Sequence, residues 1–120
     1  MMKRLTKKEE EIMNLFWRHG GLFVKELRAF CPEPRPHINT LSTQVRLLEM
    51  EGFLGHKEFG SSYQYFPAVT RETYRRETLD NVVERYFDKS YLRAVSSLVR
   101  DEKISLSDLK RMIEEIESGN

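Results

Sequence analysis

Apolar and polar positions recur with a helical period over the first part of the chain. Apolar side chains fall on one side of a helix predicted at about residues 7–19, and Thr6 with Glu9 forms a capping box at its start. Residues 24–30 repeat the pattern more briefly and predict a second helix. Three prolines within residues 32–36 then end the helical pattern, because proline cannot continue a helix.

The segment that follows carries the clearest pattern. Apolar residues at i, i+3, i+7 and i+10 predict a third helix at about residues 38–51, which Gly52 is expected to end. Two short strands at residues 54–58 and 63–66 follow, joined by a turn of small residues. With a further short strand at residues 22–23, a helix that runs into a β-hairpin predicts a winged helix-turn-helix domain.

Residues 70–120 predict three more helices, at about residues 70–87, at 91–99, and after Ser105, which forms a capping box with Asp108. These helices are too short and too thinly apolar to enclose a core, so we expect them to pack on a second copy of the chain. Packing on the N-terminal domain is the alternative. The residues assigned to the dimer contact are Tyr74, Val82, Tyr86, Tyr91, Val95, Leu98, Leu109, Met112, Ile113 and Ile116.

The predicted fold class is therefore mainly α with a small β-wing. A winged helix-turn-helix domain is expected at residues 1–69 and a helical dimerisation domain at residues 70–120. Residues 1–69 hold ten Lys and Arg against eight Glu, residues 70–120 hold ten against eleven acidic residues, and the net charge is +1. Binding to DNA must then come from local placement of positive charge, doubled in a dimer.

The expected location is the cytoplasm. No apolar run approaches the roughly 20 residues that cross a bilayer. The first residues lead directly into a charged helix, so no signal peptide is expected. The single cysteine, Cys31, excludes an internal disulfide and fits a reducing compartment.

Catalytic motifs are missing, so the chain is not expected to be an enzyme. It has no glycine-rich phosphate loop, no metalloprotease motif, no Cys-x-x-Cys pair and no nucleophile elbow. His19, His37 and His56 lie on three different predicted elements, and Cys31 is separated from the nearest of them by the proline-rich loop. We therefore expect no metal site and no cofactor.

The third helix carries the candidate base-reading residues. Thr40, Thr43 and Arg46 are spaced three apart and share one side of it, so they can enter a major groove together. Arg46 can pair with a guanine edge, threonine offers a hydroxyl and a methyl group, and Asn39 can read adenine. Residues 47–51 are expected to offer little to DNA. A solvated helix face is the alternative interpretation.

Two further cations are candidates for phosphate contacts. Arg35 precedes the third helix, and Lys57 lies in the first strand of the predicted hairpin.

Four segments of the chain resemble the penicillinase-repressor family, in the same order and at the same spacing. Residues 6–17 (TKKEEEIMNLFW) are similar to its acidic opening helix, and residues 39–54 to its recognition helix and the following Lys-Gly segment. Residues 63–66 (YQYF) resemble its wing strand, and residues 104–109 (ISLSDL) resemble the start of its last helix.

The resemblance implies a winged-helix domain and a helical dimerisation domain, and a homodimer that binds a palindromic operator in double-stranded DNA. It implies repression of genes for antibiotic resistance or metal export. In the β-lactam branch, a membrane-bound sensor protease triggers cleavage within the dimerisation domain, at a position that corresponds to Ser97 and Leu98 here. The tail lacks the cysteine pair of the copper branch, which disfavours copper sensing.

The chain departs from the family pattern late in the recognition helix. Leu47 and Leu48 stand where the family usually has Arg-Leu, and Glu51 replaces the lysine before the glycine. These changes lower the positive charge of the helix. A winged-helix module that binds a protein and no DNA, and a ligand-sensing regulator of related fold, are the other interpretations.

Overall fold

The computed structural model describes residues 3–119, which form helices and strands in the predicted order. The elements are α1 (Lys7–His19), β1 (Leu22–Phe23), α2 (Val24–Phe30), α3 (Ile38–Met50), β2 (Leu54–Phe59), β3 (Ser62–Pro67), α4 (Arg71–Tyr86), α5 (Tyr91–Arg100) and α6 (Leu106–Glu117). The chain divides into two compact units, Met1–Glu77 and Thr78–Asn120. The division falls inside α4, whereas the sequence placed the end of the first domain at residue 69.

Side-chain caps begin α1 and α6, as the sequence predicts. The Thr6 hydroxyl accepts a hydrogen bond from the Glu9 N–H at 3.3 Å, and the Glu9 carboxylate accepts one from the Thr6 N–H at 2.8 Å. Ser105 and Asp108 form the same reciprocal pair before α6. Each cap satisfies backbone donors that have no partner inside the helix.

A glycine ends α3 with the backbone geometry of a Schellman motif. Gly52 has φ +90°, and its N–H donates to the Glu49 carbonyl at 3.0 Å. The Phe53 N–H donates to the Leu48 carbonyl at 2.9 Å. Residues with side chains strongly disfavour this φ, so glycine is needed where the chain turns from α3 into β2.

The three strands form one antiparallel sheet in the order β1-β3-β2. Leu22 pairs with Tyr65, and β2 pairs with β3 from Leu54↔Pro67 to Phe59↔Ser62. We call the β2–β3 hairpin the wing. Gly60 occupies the first of its two turn residues with φ +62°, a position where glycine is strongly favoured.

The core of the first unit lies between α1, α2, α3 and the sheet. Its most deeply buried side chains are Met13, Phe16, Leu27, Leu41, Val45, Leu48 and Phe53. The Trp17 indole N–H donates to the Val69 carbonyl at 2.8 Å, which ties α1 to the segment that leads into α4.

Tyr74 belongs to this core, and its assignment to the dimer contact is corrected. Its side chain is buried, and its hydroxyl accepts a hydrogen bond from the Leu5 N–H at 2.9 Å. Its ring lies 5.6 Å from that of Trp17 and 6.0 Å from that of Phe53, centroid to centroid. The first turns of α4 therefore pack within the first unit.

The second unit buries little of its apolar surface. Within its described residues, 78–119, Val83 alone is fully buried. The Tyr91 hydroxyl donates a hydrogen bond to the Asp80 carboxylate, which joins α5 to α4, and this bond raises the pKa of Tyr91.

The predicted fold class is confirmed. The chain is mainly helical, and α2, α3 and the wing of the first unit have the arrangement of a winged helix-turn-helix domain. Among the described residues, no helix has the length and apolar character needed to span a bilayer.

Candidate nucleic-acid interface

Most of the exposed candidate residues of the first unit lie on α3, on the side turned away from the core. Leu41, Val45 and Leu48 are buried on the inner side of the helix. We call the opposite side the outer face of α3; it consists of Asn39, Thr43, Arg46, Leu47 and Met50, all exposed. Helical spacings of i+4, i+7 and i+11 from Asn39 bring Thr43, Arg46 and Met50 into one stripe.

Thr40 lies at the margin of the outer face. It is exposed, but it also lines a groove of about 490 Å³ that runs between α1, the proline-rich loop and α3. Ile12, Cys31 and Pro34 contribute to the same groove. The structure therefore groups Asn39, Thr43 and Arg46, and leaves Thr40 about 100° around the helix from Asn39 and about 120° from Arg46.

The Thr43 hydroxyl is engaged within its own helix. It donates to the Asn39 carbonyl one turn earlier, with 3.0 Å between the oxygens. Its hydrogen is therefore committed, and the groups it can present outward are the oxygen lone pairs and the methyl group.

Arg46 offers a positive charge that no carboxylate neutralises. Within residues 3–119 it forms no ion pair. Burial raises the pKa of the Tyr65 hydroxyl, the Glu49 carboxylate raises it further, and the Arg46 charge opposes both. The guanidinium thus lies near the base of the wing and is open to an anionic partner.

Two carboxylates at the end of α3 each have a partner. The Glu49 carboxylate contacts His56 Nδ1 on β2. Glu51 forms an ion pair with Lys3 at 2.9 Å, and Lys3 also pairs with Glu9 at 3.2 Å. The hydrogen bonds to Glu51 and then Glu9 raise the pKa of Lys3. Lys3 therefore offsets the negative charge of Glu51 only in part, because it shares its single positive charge with Glu9.

The amino end of α3 has two cationic neighbours, Lys25 and Arg28, to which the sequence assigns no role. His37 caps the helix by accepting the Asn39 N–H at Nδ1, 3.1 Å away. Lys25, Arg28, His37 and Ile38 line a cavity of about 370 Å³. Lys25 and Arg28 are three residues apart on a predicted helix, and this spacing is the sequence feature that indicates that they lie together. An anion beside a helix amino end is favoured by the helix dipole.

Arg35 is held by its own loop. Its guanidinium donates to the carbonyls of Cys31 at 3.3 Å and Ala29 at 3.5 Å, and it pairs with Glu33 at 3.5 Å. These contacts fix the proline-rich loop before α3. Fewer of its donors are left for a phosphate than the sequence suggested.

The Lys57 side chain does not lie beside the outer face of α3. His56 pairs with Tyr65, and Lys57 pairs with Gln64. Neighbouring residues of a strand project to opposite faces, and Tyr65 is buried against the core. Lys57 therefore projects from the far face of the wing. His56 lies on the face toward α3, stacked on Tyr63 with 4.4 Å between ring centroids.

The second unit presents most of the residues assigned to a dimer contact on its surface. Val82 and Leu109 are half-buried. The exposed ones are Tyr86, Tyr91, Val95, Leu98, Met112, Ile113 and Ile116. Ser97 and Leu98, the candidate cleavage position, lie inside α5.

Metal-binding side chains do not cluster in the part of the chain that the structure describes: no group of three or more His, Cys, Asp or Glu is positioned to hold an ion. The Cys31 thiol is buried and donates to the Leu27 carbonyl at 3.4 Å, and burial raises its pKa. A raised pKa keeps a thiol protonated and unreactive.

Comparison with known proteins gives one family. The family model described as penicillinase repressor matches residues 5–118, nearly the whole chain. No curated protein matches the chain.

Proposed function

The chain belongs to the penicillinase repressor family, and we propose that it represses transcription by binding a palindromic operator in double-stranded DNA as a homodimer. The observation that carries the proposal is the outer face of α3, where Asn39, Thr43 and Arg46 lie together opposite the buried stripe. In a winged helix-turn-helix domain this helix enters the major groove, where Arg can read guanine and Asn can read adenine.

The local charge supports binding despite a net charge of only +1. Arg46 has no acidic partner among the described residues, and Lys25 and Arg28 lie beside the amino end of α3. Glu49 and Glu51 are engaged by His56 and Lys3. The positive charges that α3 and its surroundings offer to phosphates are therefore those of Arg46, Lys25 and Arg28.

The proposed dimer uses the second unit. The apolar residues of α5 recur on one side of that helix, and those of α6 do the same. A matching surface on a second copy of the chain could cover these exposed side chains. Two linked α3 helices would then read two half-sites about one helical turn apart.

Relief of repression is proposed to follow separation of the two copies. Cleavage by a membrane-bound sensor protease near Ser97 and Leu98 would divide the second unit within α5. Each first unit would then bind a single half-site, without the effective concentration that linkage provides. Genes for antibiotic resistance are the proposed targets, and the cytoplasm is the proposed location.

A binding experiment tests the proposal directly. The full chain would be mixed with a pool of random duplexes, and the retained DNA would be sequenced and used in mobility-shift assays over a range of salt concentrations. We expect selection of a palindrome, bound more tightly than a shuffled duplex of the same composition. Binding should weaken steeply as salt rises, because phosphate contacts release counterions. No shift at low salt would reject DNA binding and favour the protein-interaction module, which the near-neutral net charge also suits.

A further inference from the structure

The carboxyl half of α3 is apolar on the side that faces away from the core. Leu47 is 49% exposed and Met50 is 82% exposed. Single exposed apolar side chains are common on protein surfaces. These two are three residues apart on one helix, so they are neighbours. Met50 continues the stripe formed by Asn39, Thr43 and Arg46, and Leu47 follows Thr43 by one turn, on the side of the stripe where Thr40 lies.

Thr43 extends this apolar area toward the middle of the helix. Because its hydroxyl hydrogen is donated to the Asn39 carbonyl, its methyl group is an outward-facing part of the side chain. Leu47 follows Thr43 by one turn, and Met50 follows Leu47 by three residues. The outer face of α3 thus changes from polar at Asn39 to apolar at Met50.

The major groove offers one apolar group to such a surface. Base edges present hydrogen-bond donors and acceptors there, and thymine adds the methyl group on C5. Phosphates are charged and give an apolar side chain no favourable contact. An apolar surface that continues the base-reading stripe therefore matches thymine methyl groups better than any other feature of the groove.

We propose that Leu47 and Met50, with the Thr43 methyl group, determine operator specificity by contacting the 5-methyl groups of thymines. The inference rests on the proposed function, because it requires the outer face of α3 to enter the major groove. It assigns a role to residues that the sequence left without one. It also places the thymines in the part of each half-site that lies against the carboxyl half of α3.

Replacing thymine with deoxyuridine tests the inference, since this change removes the methyl group and leaves every hydrogen-bonding atom in place. The probes are duplexes selected by the full chain, with one thymine replaced at a time. We expect one or two positions in each half-site at which the affinity falls about fourfold, the effect of leaving one methyl group unburied. Leu47→Ala and Met50→Ala should remove the discrimination at those positions.

Asn39→Ala is the matched control on the same face. It should weaken binding and leave the discrimination between thymine and deoxyuridine intact. Equal binding of both duplexes at every position, or discrimination that persists in both apolar variants, would overturn the inference while leaving DNA binding established. Failure of the chain to select any duplex would overturn the inference together with the proposed function.

Discussion

Arg46 is a residue at which a substitution should weaken DNA binding and leave the fold unchanged. It is exposed, it has no ionic partner within the described residues, and it lies in the stripe that we propose to read bases. Arg46→Ala should weaken binding to the selected duplex by about 1–3 kcal/mol, the range for a side chain that contacts a base edge. Titration in a mobility-shift assay measures the change.

The matched control for Arg46 is Arg76→Ala. Arg76 is also exposed, but it lies on α4 and pairs with Glu72. It should leave the affinity unchanged, and both variants should sediment like the parent chain. An Arg46 variant that binds as tightly as the Arg76 variant would remove Arg46 from the interface.

Glu9 links stability to pH at the start of α1. Burial pushes its pKa upward, but the hydrogen bonds from the Thr6 backbone and from Lys3 outweigh burial and lower it. A lowered pKa means that the folded state binds fewer protons than the unfolded state, so the stabilisation is present above about pH 4.3 and is lost as the pH falls through the folded pKa.

Two variants at this cap therefore differ in their pH dependence. Glu9→Gln should destabilise the chain at pH 7, and the difference from the parent should shrink below about pH 4. Thr6→Ala should cost about 1 kcal/mol at pH 7 and keep more of that cost at low pH than Glu9→Gln, because the hydrogen bond from the Glu9 N–H to the Thr6 hydroxyl does not need the Glu9 charge. Urea unfolding at several pH values measures both effects. A constant penalty for Glu9→Gln would show that its charge contributes nothing.

The roles of single residues were the hardest to predict from the sequence. The phosphate contacts of Arg35 and Lys57 remain predictions, and the structure adds that Arg35 donates to loop carbonyls and that Lys57 projects from the far face of the wing. Tyr74 was assigned to the dimer contact, and it packs on Trp17 and Phe53. The contacts of Tyr74 join segments far apart in the chain, and those of Arg35 lie within its own loop. Helical period predicts neither kind of contact.

Element boundaries, in contrast, were predicted closely because their causes are local. Thr6, Gly52 and Ser105 act through hydrogen bonds to residues a few positions away. Local signals of the same kind predict the boundaries of the wing strands, which lie at a glycine turn and at Pro67. The outer face of α3 was predictable in part, since the apolar stripe fixes which side is left exposed.

Gly52 gives the clearest prediction for an element. A Cβ at this position would meet nothing within 4 Å, so the cost of Gly52→Ala comes from the backbone at φ +90° alone. The variant should lose roughly 1–2 kcal/mol of stability. Met50→Ala, at an exposed helical position two residues earlier, should change stability by less than about 0.5 kcal/mol. Denaturant unfolding distinguishes them, and an equal effect of the two would contradict the strain argument.

At the scale of the whole molecule, the two units differ in how completely each one buries its own apolar side chains. The first unit encloses a core drawn from three helices and a sheet, with many side chains fully buried. The second unit buries Val83 fully and leaves the apolar sides of α5 and α6 largely open. This contrast favours a monomeric fold for the first unit and a shared fold for the second.

Ile113→Asp and Ile116→Asp test whether binding to an operator depends on the second unit. Both isoleucines are exposed on the apolar side of α6, so a carboxylate there should prevent association of two copies without breaking a core contact of the first unit. Sedimentation should show monomers. Affinity for the palindrome should fall by about a hundredfold or more, toward that for a single half-site, as expected when linkage is lost.

Ser107→Asp supplies the matched control for these variants. It introduces the same carboxylate on the polar side of α6, near the helix amino end, where a negative charge is tolerated. This variant should remain dimeric and retain full affinity. If the isoleucine variants stayed dimeric, the contact would lie elsewhere in the chain. Monomers that still bound the palindrome at parental affinity would show that each first unit reads its half-site independently, and the proposed route from cleavage to relief would fail.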